Sequence, residues 1–182
     1  QGERVNGWYA VLSGLVLLES ESQGQRRSAF IGMPDGEWFG EGSALKNEPR
    51  RYNVVALRDT WLLCLPQERF QHLYATSLGF NQYLAQHLNM RLGQAMTLIE
   101  TGRMRSPDYR VALHLSRLFW HGQRKLALSQ EELGHLVGLS RQTVNRVLQS
   151  LEQRRLVSLA FGRVSILDDE SLTAFLTNPG AE

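Results

Sequence analysis

The chain has 182 residues, 42% of them hydrophobic and 21% charged, with 20 Lys and Arg against 18 Asp and Glu for a net charge of +2. That is the balance of a soluble globular protein with room for one large domain or two small ones. A single cysteine, Cys64, excludes an intrachain disulfide framework and a four-cysteine iron–sulfur cluster.

No apolar run reaches the roughly 18–20 residues of a membrane span, and the first residues lack a charged lead followed by a hydrophobic core. No membrane partner is expected, and the default location is cytoplasmic. Charge is unevenly placed: residues 103–163 hold eleven Lys and Arg against four Asp and Glu, whereas residues 164–182 hold four acids and no Lys or Arg. The near-neutral total therefore conceals a basic module, as a nucleic-acid partner requires.

Residues 8–65 carry strand signals. Trp8–Leu12 and Leu15–Leu18 flank the turn pair Ser13-Gly14, Gln23-Gly24 marks a second turn, and Ser28–Met33 runs into Pro34-Asp35-Gly36. Tyr52–Leu57 and Thr60–Leu65 continue the pattern. Short strands with dense turns predict a jelly roll rather than parallel βαβ units. Within Trp61-Leu-Leu-Cys-Leu65, Cys64 is expected to be a small buried hydrophobe. Gly40-Glu41-Gly42-Ser43-Ala44, followed by Arg50 and Arg51, is taken alone only a glycine-rich surface turn.

A short helix is predicted over residues 67–74. From about Ser77 to Arg103, Ala85, Leu88, Leu92, Ala95 and Ile99 recur at 3–4 spacing, which suits a coiled-coil seam or packing on the chain's own barrel. Ser106-Pro107-Asp108 starts a new helix, placing a hinge between 103 and 107. Tyr109–His121 reads as an amphipathic helix through Val111, Leu115, Leu118 and Phe119. His114 and His121 lie near Trp120 without a third ligand, and His72, His87 and His135 form no cluster, so no metal is expected.

The stretch from Ser129 to Leu151 predicts two short helices around a tight turn. Ser129 and Glu132 form a capping box, Leu133, Leu136 and Val137 give one apolar face, and Gly138 permits the turn. Ser140 caps a second helix that buries Val144, Val147, Leu148 and Leu151 and projects Arg141, Gln142, Asn145 and Arg146. This is a helix-turn-helix pattern, whose second helix can enter the major groove with arginine on guanine and glutamine on adenine. A plain helical hairpin with a solvated face is the alternative. Leu156–Ala160 and Val164–Leu167, joined through Phe161-Gly162-Arg163, add a β-hairpin wing, and Asp168-Asp169-Glu170 begins a terminal helix with acids at its positive end.

Ser140-Arg-Gln-Thr-Val-Asn-Arg146 with its wing resembles the Crp/Fnr family of bacterial transcription regulators, the relatives of the cyclic-AMP receptor protein. So do Gln1-Gly2-Glu3 with Trp8–Gly14, similar to the family's "GE…YxVxxG" strand pair, and Gly36–Glu41, similar to its "G-D-x-x-G-E" turn. The resemblance implies an α+β fold: a cyclic-nucleotide-binding-like jelly roll over 1–75, a dimerisation helix and hinge over 76–105, and a winged helix-turn-helix domain over 106–182. Family members carry further residues before the point that Gln1 matches, so the chain is expected to be shortened or to lack the first strands of the barrel.

The resemblance also assigns roles. Gly40, Glu41, Gly42 and Ser43, with Arg50 and Arg51, match the phosphate-binding cassette, in which backbone N–H groups and an arginine hold an anion. Tyr52 stands where nucleotide binders carry Ser or Thr, and Ala95 and Met96 fall where the long helix offers hydroxyls to the base, with Thr97 one place off. These departures argue against cyclic AMP and for a retuned or vestigial pocket; a small anionic effector is expected at Gly40–Ser43, Arg50, Arg51, Tyr52, Met96 and Thr97, and no cofactor besides.

On the DNA side, Arg141, Gln142 and Arg146 would read bases, with Asn145 on the same DNA-facing side. Ser129, Gln130, Ser140, Thr143 and Arg163 would hold phosphates. The expected protein is a dimeric regulator bound to a palindromic operator and acting on RNA polymerase, with a ligand-binding module that has lost DNA binding as the alternative. No nucleophile, base and orienting group occur together, so an enzyme ranks last.

Overall fold

The computed structural model describes residues 1–21, 27–104, 106–116, 128–160 and 163–177. The chain divides into two units, Gln1–Arg91 and Leu92–Glu182, with the boundary inside one long helix.

The first unit is a pair of three-stranded antiparallel sheets. Strands β1 (Gly7–Ser13), β4 (Trp38–Phe39) and β6 (Trp61–Pro66) form one in the order β4-β1-β6, and β2 (Leu15–Glu21), β3 (Arg27–Pro34) and β5 (Asn53–Ala56) form the other in the order β3-β2-β5. The two-residue periodicity of β1 and β2 turns Val11, Val16 and Leu18 inward onto Met33 and Phe39. A second cluster joins the sheet to helices: Trp8 packs with Ala44, Phe70 and Leu84, its ring edge-on to Phe70 at 5.7 Å. Phe70 lies on α2 (Gln67–Thr76) and Leu84 on α3 (Leu78–Met104).

Two expectations are corrected here. Cys64 is exposed rather than buried, because β6 is an edge strand whose side chains mostly face outward, with Trp61 72% accessible. An apolar run signals a strand but not which of its faces is covered. The stretch Gly40–Ala44, read as a glycine-rich turn, instead opens a one-and-a-half-turn helix, α1 (Glu41–Lys46), with Gly40 at φ 94° marking the change of direction after β4.

The second unit starts with the end of α3. After it, Ser106 caps α4 (Pro107–Leu115) by accepting from the Tyr109 N–H. The helix predicted over Tyr109–His121 ends at Leu115: Ser116 is extended and its hydroxyl donates to the Leu113 carbonyl at 2.7 Å, which competes with helix continuation at that point. Leu118, Phe119, Trp120 and His121 lie outside the described residues, as does the Phe161-Gly162 turn of the wing. Helices α5 (Gln130–Val137) and α6 (Arg141–Gln153) follow, then the hairpin β7 (Val157–Ala160) and β8 (Arg163–Ile166), then α7 (Asp169–Thr177). Val111, Leu133, Val144, Leu148, Leu151 and Leu172 are buried in this unit. Arg154 lies over the Phe175 ring at 5.5 Å, tying the end of α6 to α7.

Candidate DNA-binding face and effector cassette

The turn between α5 and α6 is built by reciprocal caps. The Ser129 N–H donates to Glu132 Oε2 at 2.7 Å while the Glu132 N–H donates to Ser129 Oγ at 3.2 Å, so α5 starts with two backbone donors satisfied. Gly138, at φ 64°, ends it in the left-handed conformation that side chains disfavour. The Thr143 N–H donates to Ser140 Oγ at 3.2 Å to start α6, and the two hydroxyls of Ser140 and Thr143 are 2.9 Å apart.

Two residues that sequence reasoning missed hold this geometry. A Cβ on Gly134 would stand 3.2 Å from the Leu139 carbonyl, so the close approach of the two helices depends on the missing side chain. Arg110, from α4, donates through Nη2 to the carbonyl of Val137, the last residue of α5. Glycine at the middle of a short helix was the available signal for the first. The second needed the tertiary fold.

On α6, Val144, Val147, Leu148 and Leu151 are buried while Arg141, Gln142, Asn145 and Arg146 are exposed. At 3.6 residues per turn the four exposed side chains span an arc of roughly 140° and about 7.5 Å of helix. That is one helix side, offering two guanidinium groups and two amides. Ser140 is exposed beside them, and Thr143, Ser129 and Gln130 are half-buried. Ser129 keeps its hydroxyl proton, since its cap uses the oxygen as acceptor. Arg163 opens β8; its side chain is outside the described set.

Under this face, α4 carries a buried histidine. Burial pushes the His114 imidazole down to about 4, and the Arg110 charge adds to the effect. The ring is therefore neutral, and its Nδ1 lies 2.9 Å from the Arg110 carbonyl, which can only accept. Among the described residues no group of three metal-ligating side chains occurs.

The cassette in the first unit is only partly as expected. Gly40, Glu41, Gly42 and Ser43 enter and form α1, and Tyr52 packs its half-buried ring on the Val11, Val16, Leu18, Met33 and Phe39 cluster. Burial, with the Glu41 charge beside it, pushes the Tyr52 phenol up to about 12. Arg51 does not join; its side chain is 77% exposed and pairs with Glu48 at 3.2 Å. Arg50 lies over the Tyr9 ring at 5.4 Å, with its Nε buried and without a hydrogen-bond partner. Met96 and Thr97 stand on α3 beyond the unit boundary, where Met96 is exposed and the Thr97 hydroxyl donates to the Gly93 carbonyl at 3.0 Å.

His87, expected to stand alone, instead meets the cassette. Its Nε2 lies 3.7 Å from Glu41 Oε2, an ion-pair distance too long for a hydrogen bond. Burial alone would raise the Glu41 pKa, but His87, the backbone N–H at α1 and the Arg91 charge together hold it below the usual carboxylate range. One turn on, Arg91 Nη2 bonds Glu37 Oε2 at 2.5 Å and the Trp38 carbonyl at 2.8 Å. The i, i+4 spacing of His87 and Arg91 was the legible trace of this contact.

Comparison with known proteins agrees with both halves. Residues 1–77 match the cyclic nucleotide-binding domain and residues 109–175 the Crp-like helix-turn-helix domain. The chain is 34% identical over 168 residues to the cyclic AMP receptor protein of Thermus thermophilus, covering 91% of this chain and 77% of that protein. It is 31% identical over 180 residues to the transcriptional regulator SdrP of the same organism, covering 94% and 85%. The structure of FixK2 from Bradyrhizobium japonicum superposes with a TM-score of 0.77 at 19% identity over 96% of this chain and 92% of that one, a likeness of fold. The chain belongs to the Crp/Fnr family and is a DNA-binding transcription regulator of that type.

Proposed function

We propose that this regulator works as a homodimer joined along α3 and sets two copies of α6 into successive major-groove turns of a palindromic operator. What supports the reading is the face of α6, where Arg141, Gln142, Asn145 and Arg146 stand exposed opposite a fully buried side. Arg141 and Arg146 take guanine, Gln142 takes adenine or a relaxed position, and Asn145 assists. Ser129, Gln130, Ser140, Thr143 and Arg163 take phosphates.

The dimer follows from α3, on which Leu92, Met96 and Ile99 are 59%, 63% and 56% exposed, an apolar seam with no cover among the described residues. Two half-sites then lie about 34 Å apart, one helical turn. Control by a small molecule at the jelly-roll unit or at α3, in the cytoplasm, and contact with RNA polymerase complete the reading. Light scattering at micromolar concentration tests it: a dimer is expected for the native chain and a monomer for Leu92→Glu. A monomeric native chain contradicts it.

A further inference from the structure

The exposed side of α6 does not stop at Arg146. Gln149 is exposed as well, and the side opposite it stays buried through Val147, Leu148 and Leu151. At 3.6 residues per turn Gln149 stands about 80° round from Arg141, close to the midline of the arc that Arg141, Gln142, Asn145 and Arg146 span. Gln142, Asn145, Arg146 and Gln149 thus form an i, i+3, i+4, i+7 stripe. That is the spacing with which the third helix of a homeodomain reads bases along the major groove.

The charge of this face agrees with such a placement. Glu152, the one acid of α6, stands a single turn beyond Gln149, where a carboxylate aimed outward would meet the phosphate backbone. Its Oε1 instead accepts from the Leu159 N–H at 2.8 Å, which ties it to β7. Distance then separates Gln149 from the next amide along. Gln149 lies about 4.5 Å along the axis from Arg146, close to the roughly 3.4 Å rise of one base pair. Gln153 lies about 16.5 Å from Gln142, about five base pairs, over which the groove turns roughly half-way round the duplex.

We propose that Gln149 is a base reader, pairing bidentately with adenine at the base pair adjoining the one under Arg146. Each half-site is then one base pair longer than Arg141, Gln142 and Arg146 alone would read. This rests on the reading of α6 as the major-groove helix of a sequence-specific regulator.

The test uses the full chain in two assays. In binding-site selection from a random DNA pool, the native protein enriches adenine at the adjoining position, and Gln149→Ala loses that preference while keeping the guanines under Arg141 and Arg146. Alanine is the best helix former, so α6 is kept. In fluorescence anisotropy, changing that one base pair of the selected operator weakens the native protein by about tenfold and Gln149→Ala by less than about twofold. An adjoining position that Gln149→Ala selects as the native protein does overturns the proposal and makes the side chain a solvated one. So does an equal loss on both operators, which would make Gln149 a phosphate contact. A native protein that selects a half-site with no preference at the adjoining position overturns this proposal alone, whereas one that selects no sequence overturns the operator reading with it.

Discussion

His87 Nε2 stands 3.7 Å from Glu41 Oε2, and through that pair the cassette helix α1 meets the long helix α3 across a buried charge. Removing one member leaves the other desolvated without compensation, whereas removing both removes the penalty with the attraction. His87→Leu is expected to destabilise the chain by about 1–3 kcal/mol in urea unfolding, while Glu41→Gln with His87→Leu together cost less than the sum of the two single changes. Strict additivity would show that the pair is not coupled.

Arg110 holds the turn of the helix-turn-helix from below, through the Val137 carbonyl. Arg110→Met keeps the stem and loses the charged donor, and is expected to lower stability by about 1.5–3 kcal/mol. DNA affinity should fall for every sequence alike, since the arginine positions the motif and reads no base. Anisotropy on matched and mismatched operators checks this; loss of preference at a single base pair would make Arg110 a reader.

His114 sets a pH limit on the second unit. Its folded pKa of about 4 lies below the ordinary 6.5, so the unfolded chain takes up the proton first as pH falls. This contribution to stability is full above about pH 6.5 and declines towards pH 4, by up to about 3 kcal/mol. Glu41, held low, adds its own loss only in the carboxylate range. Urea midpoints between about pH 7 and pH 5 should slope downward in the native chain and flatten in His114→Phe. A flat native profile would mean that the ring is not buried neutral.

The exposed face of α6 separates readers from anchors. Arg141→Ala and Arg146→Ala are each expected to cost about 1–3 kcal/mol of operator affinity and to erase preference at one base pair. Arg163→Ala should weaken all sequences equally and reduce the slope of affinity against salt by about one. Equal loss on operator and random DNA for Arg141→Ala would contradict the assignment.

The helix-turn-helix was legible because its signals are local: the Ser129–Glu132 box, Gly138, the Ser140 cap and the 3–4 spacing from Val144 to Leu151 all act within one or two turns. The strands were legible in position, since turns such as Ser13-Gly14 are written in neighbouring residues. What was hidden is what depends on distant partners. Cys64 was misplaced because the cover on a strand face is a tertiary fact. Arg51 turns outward and Tyr52 inward because which side chain is buried just before β5 is set by packing on Met33 and Phe39, not by spacing from Gly40. His87 looked solitary in sequence, and 46 residues separate it from Glu41.

The most direct measurement is binding-site selection from a random DNA pool with the native protein and with Gln142→Glu. Gln142 is exposed at the start of α6, where a neutral amide can pair bidentately with adenine and a carboxylate would accept from cytosine N4 instead. The native protein should return a palindrome related to the family's TGTGA-type half-site, with the guanines opposite Arg141 and Arg146 kept and the position under Gln142 relaxed or changed to adenine. Gln142→Glu should restore preference for the base pair that presents cytosine there. Identical half-sites from both proteins would remove Gln142 from the readers, and a native protein that enriches no sequence would contradict the sequence-specific operator reading itself.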